Sequence, residues 1–326
     1  MSEKLLEVCN LHTSFFTDDG VVPAVDGVSF SLEKQQTLAI VGESGCGKSV
    51  TSLSILGLIQ PPGRIVEGEI RFQGRNLLKK SEREMRKIRG HDISMIFQEP
   101  MTSLNPVFTV YTHIAESLKY HTSIPKSQYR ETALELLKRV RIPNPEKVLD
   151  DYPHRLSGGM RQRVMIAMSL ACDPRILIAD EPTTALDVTI QAQILRLLND
   201  LKRDMGTAII LITHDLGVVA ETADQVMVMY AGEAVEYADT CQLFKQPLHP
   251  YTWGLLESIP KIHEKTERLY NIRGMIPAPK DYPKGCRFAP RCDECQDRCF
   301  EEKPPLFDLG EGRRTRCWKY EGSGKA

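Results

Sequence analysis

The sequence predicts an α/β fold, a mostly parallel sheet with covering helices, followed by a small cysteine-rich C-terminal extension. Three observations predict it. Apolar, β-branched runs alternate with helical patterns along most of the chain. One such run, Thr37-Leu38-Ala39-Ile40-Val41, feeds straight into a glycine-rich turn and then a helix. After about Lys245 the texture changes: prolines stand at 247, 250, 260, 277, 279, 283, 290, 304 and 305, and cysteines crowd together.

In chain order, the strand at 37–41 is followed by a helix expected over Lys48 to Gln60, halted by Pro61-Pro62-Gly63. Residues 103–172 read as helix-rich, with Ala133, Leu134, Leu137 and Val140 on one face, and so as a helical subdomain inserted in the sheet's sequence. Ile176-Leu177-Ile178-Ala179 and Ala208-Ile209-Ile210-Leu211-Ile212 are buried strands that end in polar residues. Val226 to Tyr230 and Glu233 to Val235 form a hairpin about Ala231-Gly232. The expected division is residues 1–245 and an extension over 246–326, with no internal repeat.

Charged residues are 26% and hydrophobic ones 41% of 326, ordinary for a globular protein. A formal net charge of −1 gives no basic field, which argues against nucleic acid as a partner. No apolar run approaches the about 18–20 residues that cross a bilayer, and Met1 to Leu6 lacks a signal-peptide core. Membrane association is therefore expected through partner proteins. Without an export signal, the cluster of Cys286, Cys292, Cys295, Cys299 and Cys317 reads as metal ligation before disulfides.

Gly42-Glu43-Ser44-Gly45-Cys46-Gly47-Lys48-Ser49 matches G-x-x-x-x-G-K-[ST] in full. Its glycines let backbone N–H groups curl around phosphate oxygens at a helix N-terminus. Lys48 is expected to reach the β- and γ-phosphates, and the Ser49 hydroxyl to ligate Mg²⁺. Asp180 and Glu181 end a buried strand. Asp180 is expected to hold Mg²⁺ through water, and Glu181 to polarise the attacking water, a role worth about 10²–10⁴-fold. His214 ends the next strand, and parallel sheets gather ligands at that edge. It is a candidate contact for the γ-phosphate.

Leu156-Ser157-Gly158-Gly159-Met160 resembles the signature loop of the ATP-binding-cassette (ABC) ATPases, about twenty residues before Asp180. The resemblance covers about residues 4–245 and implies that family's nucleotide-binding domain, a RecA-like sheet core plus helical subdomain. It further implies that each ATP is sandwiched between the phosphate loop of one subunit and the signature loop of another. Met160 stands where the family usually has glutamine; Ser157 and the backbone supply the phosphate contacts, so function is expected to survive. Gln98 is similar to the family's Q-loop glutamine, which senses Mg²⁺. Ala185-Leu186-Asp187 resembles the D-loop between the two active sites, and His214 the switch histidine. Phe15 stands where the family places a ring against adenine, with Phe16 as its neighbouring alternative. Cys46 is expected to contribute only its backbone.

The extension narrows the resemblance. Leu248-His249-Pro250-Tyr251-Thr252 and Gly285-Cys286-Arg287-Phe288-Ala289-Pro290-Arg291-Cys292 resemble segments of the oligopeptide and dipeptide importer ATPases, most closely the D-type subunit. So do Gln98 to Pro106 and Ala185 to Gln193. Cys286, Cys292, Cys299 and Cys317 have the spacing C-x5-C-x6-C-x17-C, four soft ligands for an iron–sulfur cluster or zinc. Cys292-x-x-Cys295 is a competing, zinc-like spacing. The subgroup's pattern implies a [4Fe-4S] cluster on the first set, with Cys295 spare and zinc as the alternative. The implied partners are an F-type ATPase subunit in a heterodimer, two transmembrane permeases and an extracytoplasmic peptide-binding protein, placing the chain peripherally on the cytoplasmic face of the cell membrane. A related cargo such as nickel is one alternative. The other is a soluble, non-transport cassette ATPase, disfavoured by the short interval from Lys48 to Ser157 and the single phosphate loop.

Overall fold

The computed structural model describes residues 4–98, 104–184, 186–260 and 270–323. Glu99 to Ser103 and Ala185, which carry part of the expected Q-loop and D-loop segments, lie outside the described residues. The chain divides into two compact units: Glu33–Gln36 with Lys79–Ile212, and Lys4–Leu32 with Thr37–Leu78 and Thr213 onward.

The second of these carries the phosphate loop. Strands β1 (Lys4–Thr17), β2 (Gly20–Glu33), β4 (Gly63–Phe72) and β5 (Arg75–Asn76) form a sheet in the order β2-β1-β4-β5. A separate ladder runs β11 (Phe307–Gly310), β12 (Arg313–Thr315), β10 (Glu233–Asp239), β9 (Gln225–Tyr230) and β3 (Thr37–Val41). β3 and β9 are parallel, with Val41 opposite Val228. β9 and β10 form the expected antiparallel hairpin. Its turn residues Ala231 (φ 48°) and Gly232 (φ 88°) both lie in the left-handed region that tight hairpin turns require.

β3 is buried at all five positions, as a strand covered on both faces must be. The helix after it spans Lys48–Leu56, not Lys48–Gln60. Gly57 stops it: at φ 62° its N–H returns to the carbonyls of Leu53 and Ser54, a left-handed cap that glycine adopts without a Cβ clash. The prolines four residues on are therefore not what ends it.

The extension is not a pendant. Tyr251, Ile272 and Phe288 share one hydrophobic cluster with Ala39, Val41, Val226, Val228 and Tyr230. Burying Phe288 alone contributes about 1.5–3 kcal/mol. The helix Pro250–Glu257 starts on a proline at its first turn, where no N–H is needed, and His249 caps it by accepting the Tyr251 N–H through Nδ1 at 3.1 Å. The buried Glu236 carboxylate accepts the backbone N–H groups of Leu248 (2.9 Å) and His249 (2.8 Å). Burial, with the nearby Arg316 charge, pushes the His249 pKa down to about 3, so its ring is neutral and free to accept.

The other unit holds β6 (Ile93–Ile96), β7 (Ile176–Asp180) and β8 (Ala208–Thr213), all parallel, in the order β8-β7-β6. β7 and β8 are buried throughout. Helices Val110–His121, Tyr129–Arg139, Pro145–Asp150 and Gly158–Ser169 occupy the segment expected to be helical. In Tyr129–Arg139 the buried face carries Ala133, Leu136 and Leu137, with Leu134 only half-buried beside them. No helix among the described residues is long and apolar enough to cross a membrane.

Candidate functional site

Residues 42–49 join the end of β3 to the helix Lys48–Leu56, as a phosphate loop must. Gly47 caps that helix at φ 100°, and a Cβ there would stand 2.2 Å from the Ala24 carbonyl oxygen. Gly42 is equally constrained, since a Cβ would meet the Met229 carbonyl oxygen at 2.2 Å. The loop is thus pressed against two backbones that only glycine allows. Ser44 and Gly45 are exposed, Ser49 is half-buried, and Cys46 is fully buried. Burial raises the Cys46 thiol pKa, so it sits as a neutral, unreactive group whose backbone carbonyl accepts the Gly232 N–H.

Lys48 is 6% exposed. Its ammonium donates to the carbonyls of Gly42 (2.8 Å) and Glu43 (3.0 Å), which folds the side chain back over its own loop. The same ammonium stands 3.9 Å from Cys46 Sγ, so these contacts all fall within residues 42–46. Phe15 lies opposite Gly63 across the β1–β4 ladder, its ring over the space a Cβ would fill. Phe16 is exposed, with the Arg64 guanidinium 4.0 Å from its ring centroid. His214 is exposed on the loop after β8, and Asp215 beside it caps the helix Leu216–Thr222.

In the other unit, Asp180 ends β7 at 4% exposure and Glu181 leaves the strand. Glu181 has φ 46°, a conformation costing a non-glycine residue about 1–3 kcal/mol, and its N–H donates to the Ile212 carbonyl. The carboxylate is held in turn. Gln98 Nε2 and Thr184 Oγ1 both donate to Glu181 Oε2, each at 2.9 Å. Two donors thus fix one oxygen of the carboxylate, which sets the direction in which the group faces. The expected Gln98 thus meets Glu181 directly. Thr184 was not anticipated; its only sequence signal is a hydroxyl residue three positions past the acid.

The signature segment opens the helix Gly158–Ser169. Ser157 caps it, accepting the Met160 N–H at 3.3 Å, and Leu156 is buried. A Cβ on Gly159 would meet Ile190 at 2.7 Å, so glycine here permits close packing against the helix Val188–Met205. Asp187 caps that helix, accepting the Ile190 N–H at 3.0 Å. Beside Gln98, a groove of about 420 Å³ is lined by Met95, Ile96, Phe97, Met165, Met168 and Ser169.

Cys286, Cys292, Cys299 and Cys317 line one tight cavity of about 20 Å³ in the extension, and Cys295 does not. The Cys286 N–H donates to the Cys299 carbonyl at 2.7 Å, and glycine at 285 is what admits that carbonyl. Burial pushes the thiol of Cys286 up to about 12 and that of Cys292 to about 11. Among the described residues no three His, Cys, Asp or Glu side chains converge to hold a single metal ion.

Residues 25–184 match the family model described as "ABC transporter", and residues 235–299 the one described as "Oligopeptide/dipeptide transporter, C-terminal region". The chain is 54% identical over 321 residues to the oligopeptide transport ATP-binding protein AppD of Bacillus subtilis, covering 98% of each. It is 50% identical to the dipeptide transport ATP-binding protein DppD of Escherichia coli, covering 96% of each. Among solved structures, it resembles a dimeric, post-hydrolysis state of the ATP-binding cassette MJ0796 bound to ADP and Pi. That match has a TM-score of 0.65 and 28% identity, over 72% of this chain and 98% of that one.

Proposed function

The chain belongs to the ATP-binding subunits of the oligopeptide and dipeptide ABC transporters, and from that premise we propose how its residues drive import. It is an ATPase of the peptide-importing kind. The observation that carries its chemistry is Glu181, held in a strained backbone by Gln98 and Thr184 at the end of a buried strand.

In this reading the backbone of 42–49 and Lys48 cradle the β- and γ-phosphates of ATP, and Phe15 stacks on adenine. Ser49, Gln98 and Asp180 provide the oxygen ligands that suit Mg²⁺, which neutralises phosphate charge when bound. Glu181 orients the attacking water and takes its proton; His214 holds the γ-phosphate. Leu156 to Met160 close on the ATP held by a second cassette subunit, an F-type sister, with Asp187 between the two sites. The Ser157 oxygen accepts the Met160 N–H as a cap, so its O–H proton can donate to phosphate beside the backbone N–H groups of the helix start.

No membrane-crossing helix exists among the described residues, so force must pass to other chains. The apolar groove beside Gln98 suits a docked segment of one permease, because Phe97 in it is 43% exposed and three methionines can repack around a partner. In this reading the chain works at the cytoplasmic face of the membrane, importing peptide delivered by an extracytoplasmic binding protein.

Cys286, Cys292, Cys299 and Cys317 fit a [4Fe-4S] cluster as a donor set: four thiols line one apolar cavity, and the fifth cysteine lies outside it. A bound cluster would supply a four-point staple for a segment with little core of its own. A single tetrahedral zinc is less well supported, because it needs ligands meeting at one point about 2.3 Å from each sulfur.

One purification tests both halves. Isolated anaerobically through a tag on this chain, the complex should contain a second cassette ATPase, two permeases, and four iron and four acid-labile sulfide per chain. A colourless preparation with one tight zinc would overturn the cluster assignment. A chain that purifies alone under gentle extraction would count against the transporter.

A further inference from the structure

Glu43, the second residue of the phosphate loop, is gripped from the far end of the chain. Arg291 precedes Cys292 and ends the short turn Ala289–Arg291, between two of the clustered cysteines. Its side chain is 6% exposed. Nη1 donates to Glu43 Oε2 at 2.8 Å and Nη2 to Glu43 Oε1 at 3.1 Å, a two-pronged pair that only a guanidinium makes. Arg291 Nε donates to the Arg273 carbonyl at 2.9 Å, which fixes the fork. The Glu43 N–H donates to the Tyr251 hydroxyl at 3.0 Å. The Glu43 carbonyl accepts from Lys48. An unbroken series of contacts therefore runs from Cys292 through Arg291 and Glu43 to the phosphate-binding lysine.

The surroundings make the grip stiff. Tyr230 packs edge to face on Tyr251 and Phe288, with ring centroids 4.7 Å and 5.2 Å apart, and Tyr251 and Phe288 are tilted against each other at 5.4 Å. Phe288 sits in the same cysteine loop as Arg291, and Arg291 lies 5.7 Å from the Tyr230 ring. Arg287, also in that loop, pairs with Asp26 and Glu233. Two arginines and a phenylalanine between Cys286 and Cys292 thus face the phosphate-loop unit. None of these contacts is needed merely to close a cysteine loop.

We infer that the cysteine-rich extension positions the phosphate loop for nucleotide, with Arg291 as the positioning residue acting through Glu43. The consequence is regulatory: whatever loosens the cysteine loop lowers ATP affinity. This rests on the reading of residues 42–49 as the ATP-binding loop.

The test is a double-mutant cycle in the purified transporter complex: Arg291→Met, Glu43→Gln and both together, with KM for MgATP and kcat measured for each. Each single change should raise KM about fivefold to tenfold, Arg291→Met should leave kcat within about twofold, and the pair should be no worse than either alone. Arg291→Lys, which keeps the charge without the fork, should recover only part of the affinity. Glu43 is on a part-exposed loop, so its variant reports even if Arg291→Met fails to fold. KM values within twofold of wild type in the single variants, or single effects that multiply in the pair, would overturn the inference. Absence of ATP hydrolysis in the wild-type complex would instead sink the functional reading beneath it.

Discussion

Glu181→Gln is expected to cut ATP turnover by about 10²–10⁴-fold while leaving ATP binding intact. Glutamine has nearly the shape of glutamate, and its amide oxygen still accepts the Gln98 and Thr184 hydrogen bonds made to Oε2. The left-handed backbone at 181 is unaffected, because neither residue is β-branched. What disappears is the anionic oxygen proposed to take a proton from water. Turnover and nucleotide affinity should therefore separate. Steady-state hydrolysis and nucleotide titration on the same preparation check this. Hydrolysis within a few-fold of wild type would mean that another group is the base.

The second large effect concerns binding. Lys48→Ala should weaken MgATP by about 10²–10⁴-fold. Lys48 makes two charge-assisted hydrogen bonds to loop carbonyls from a site nearly closed to solvent. A charge-assisted hydrogen bond from the ammonium to a phosphate oxygen is worth about 1.5–3 kcal/mol, so two of them sum to about 3–6 kcal/mol, at 1.4 kcal/mol per tenfold. Losing the ammonium both slackens the loop and removes the positive charge that faces phosphate. A nucleotide Kd within about fivefold of wild type would contradict it.

The parts of this site that the sequence made legible are local ones. Gly42 to Ser49 can be read directly because strand, turn and helix are contiguous and the backbone needs glycine at 42 and 47. β7 and β8 announce themselves as unbroken apolar runs, since strands covered on both faces have no polar side. The end of the first helix was misplaced because two prolines outweighed one glycine, yet the glycine's left-handed cap is the stronger stop. The long N-terminal strands β1 and β2 escaped notice; β1 breaks its register twice between Cys9 and Thr13, which destroys simple alternation. Least legible of all was the Arg291–Glu43 pair. Its partners lie 248 residues apart, and no periodicity links positions that meet only through tertiary folding. His249 belongs to the segment that marks the family, and the fold adds its physical role as a buried, neutral helix cap.

The account's central claim is that ATP hydrolysis by this chain moves peptide inward. The direct measurement is uptake of labelled di- and oligopeptides into proteoliposomes holding the purified complex, with its binding protein added from outside and ATP sealed within. The account predicts accumulation that requires ATP and is abolished by Glu181→Gln. Peptide uptake that is unchanged by that substitution, or ATP-driven accumulation of nickel and not of peptide, would contradict it.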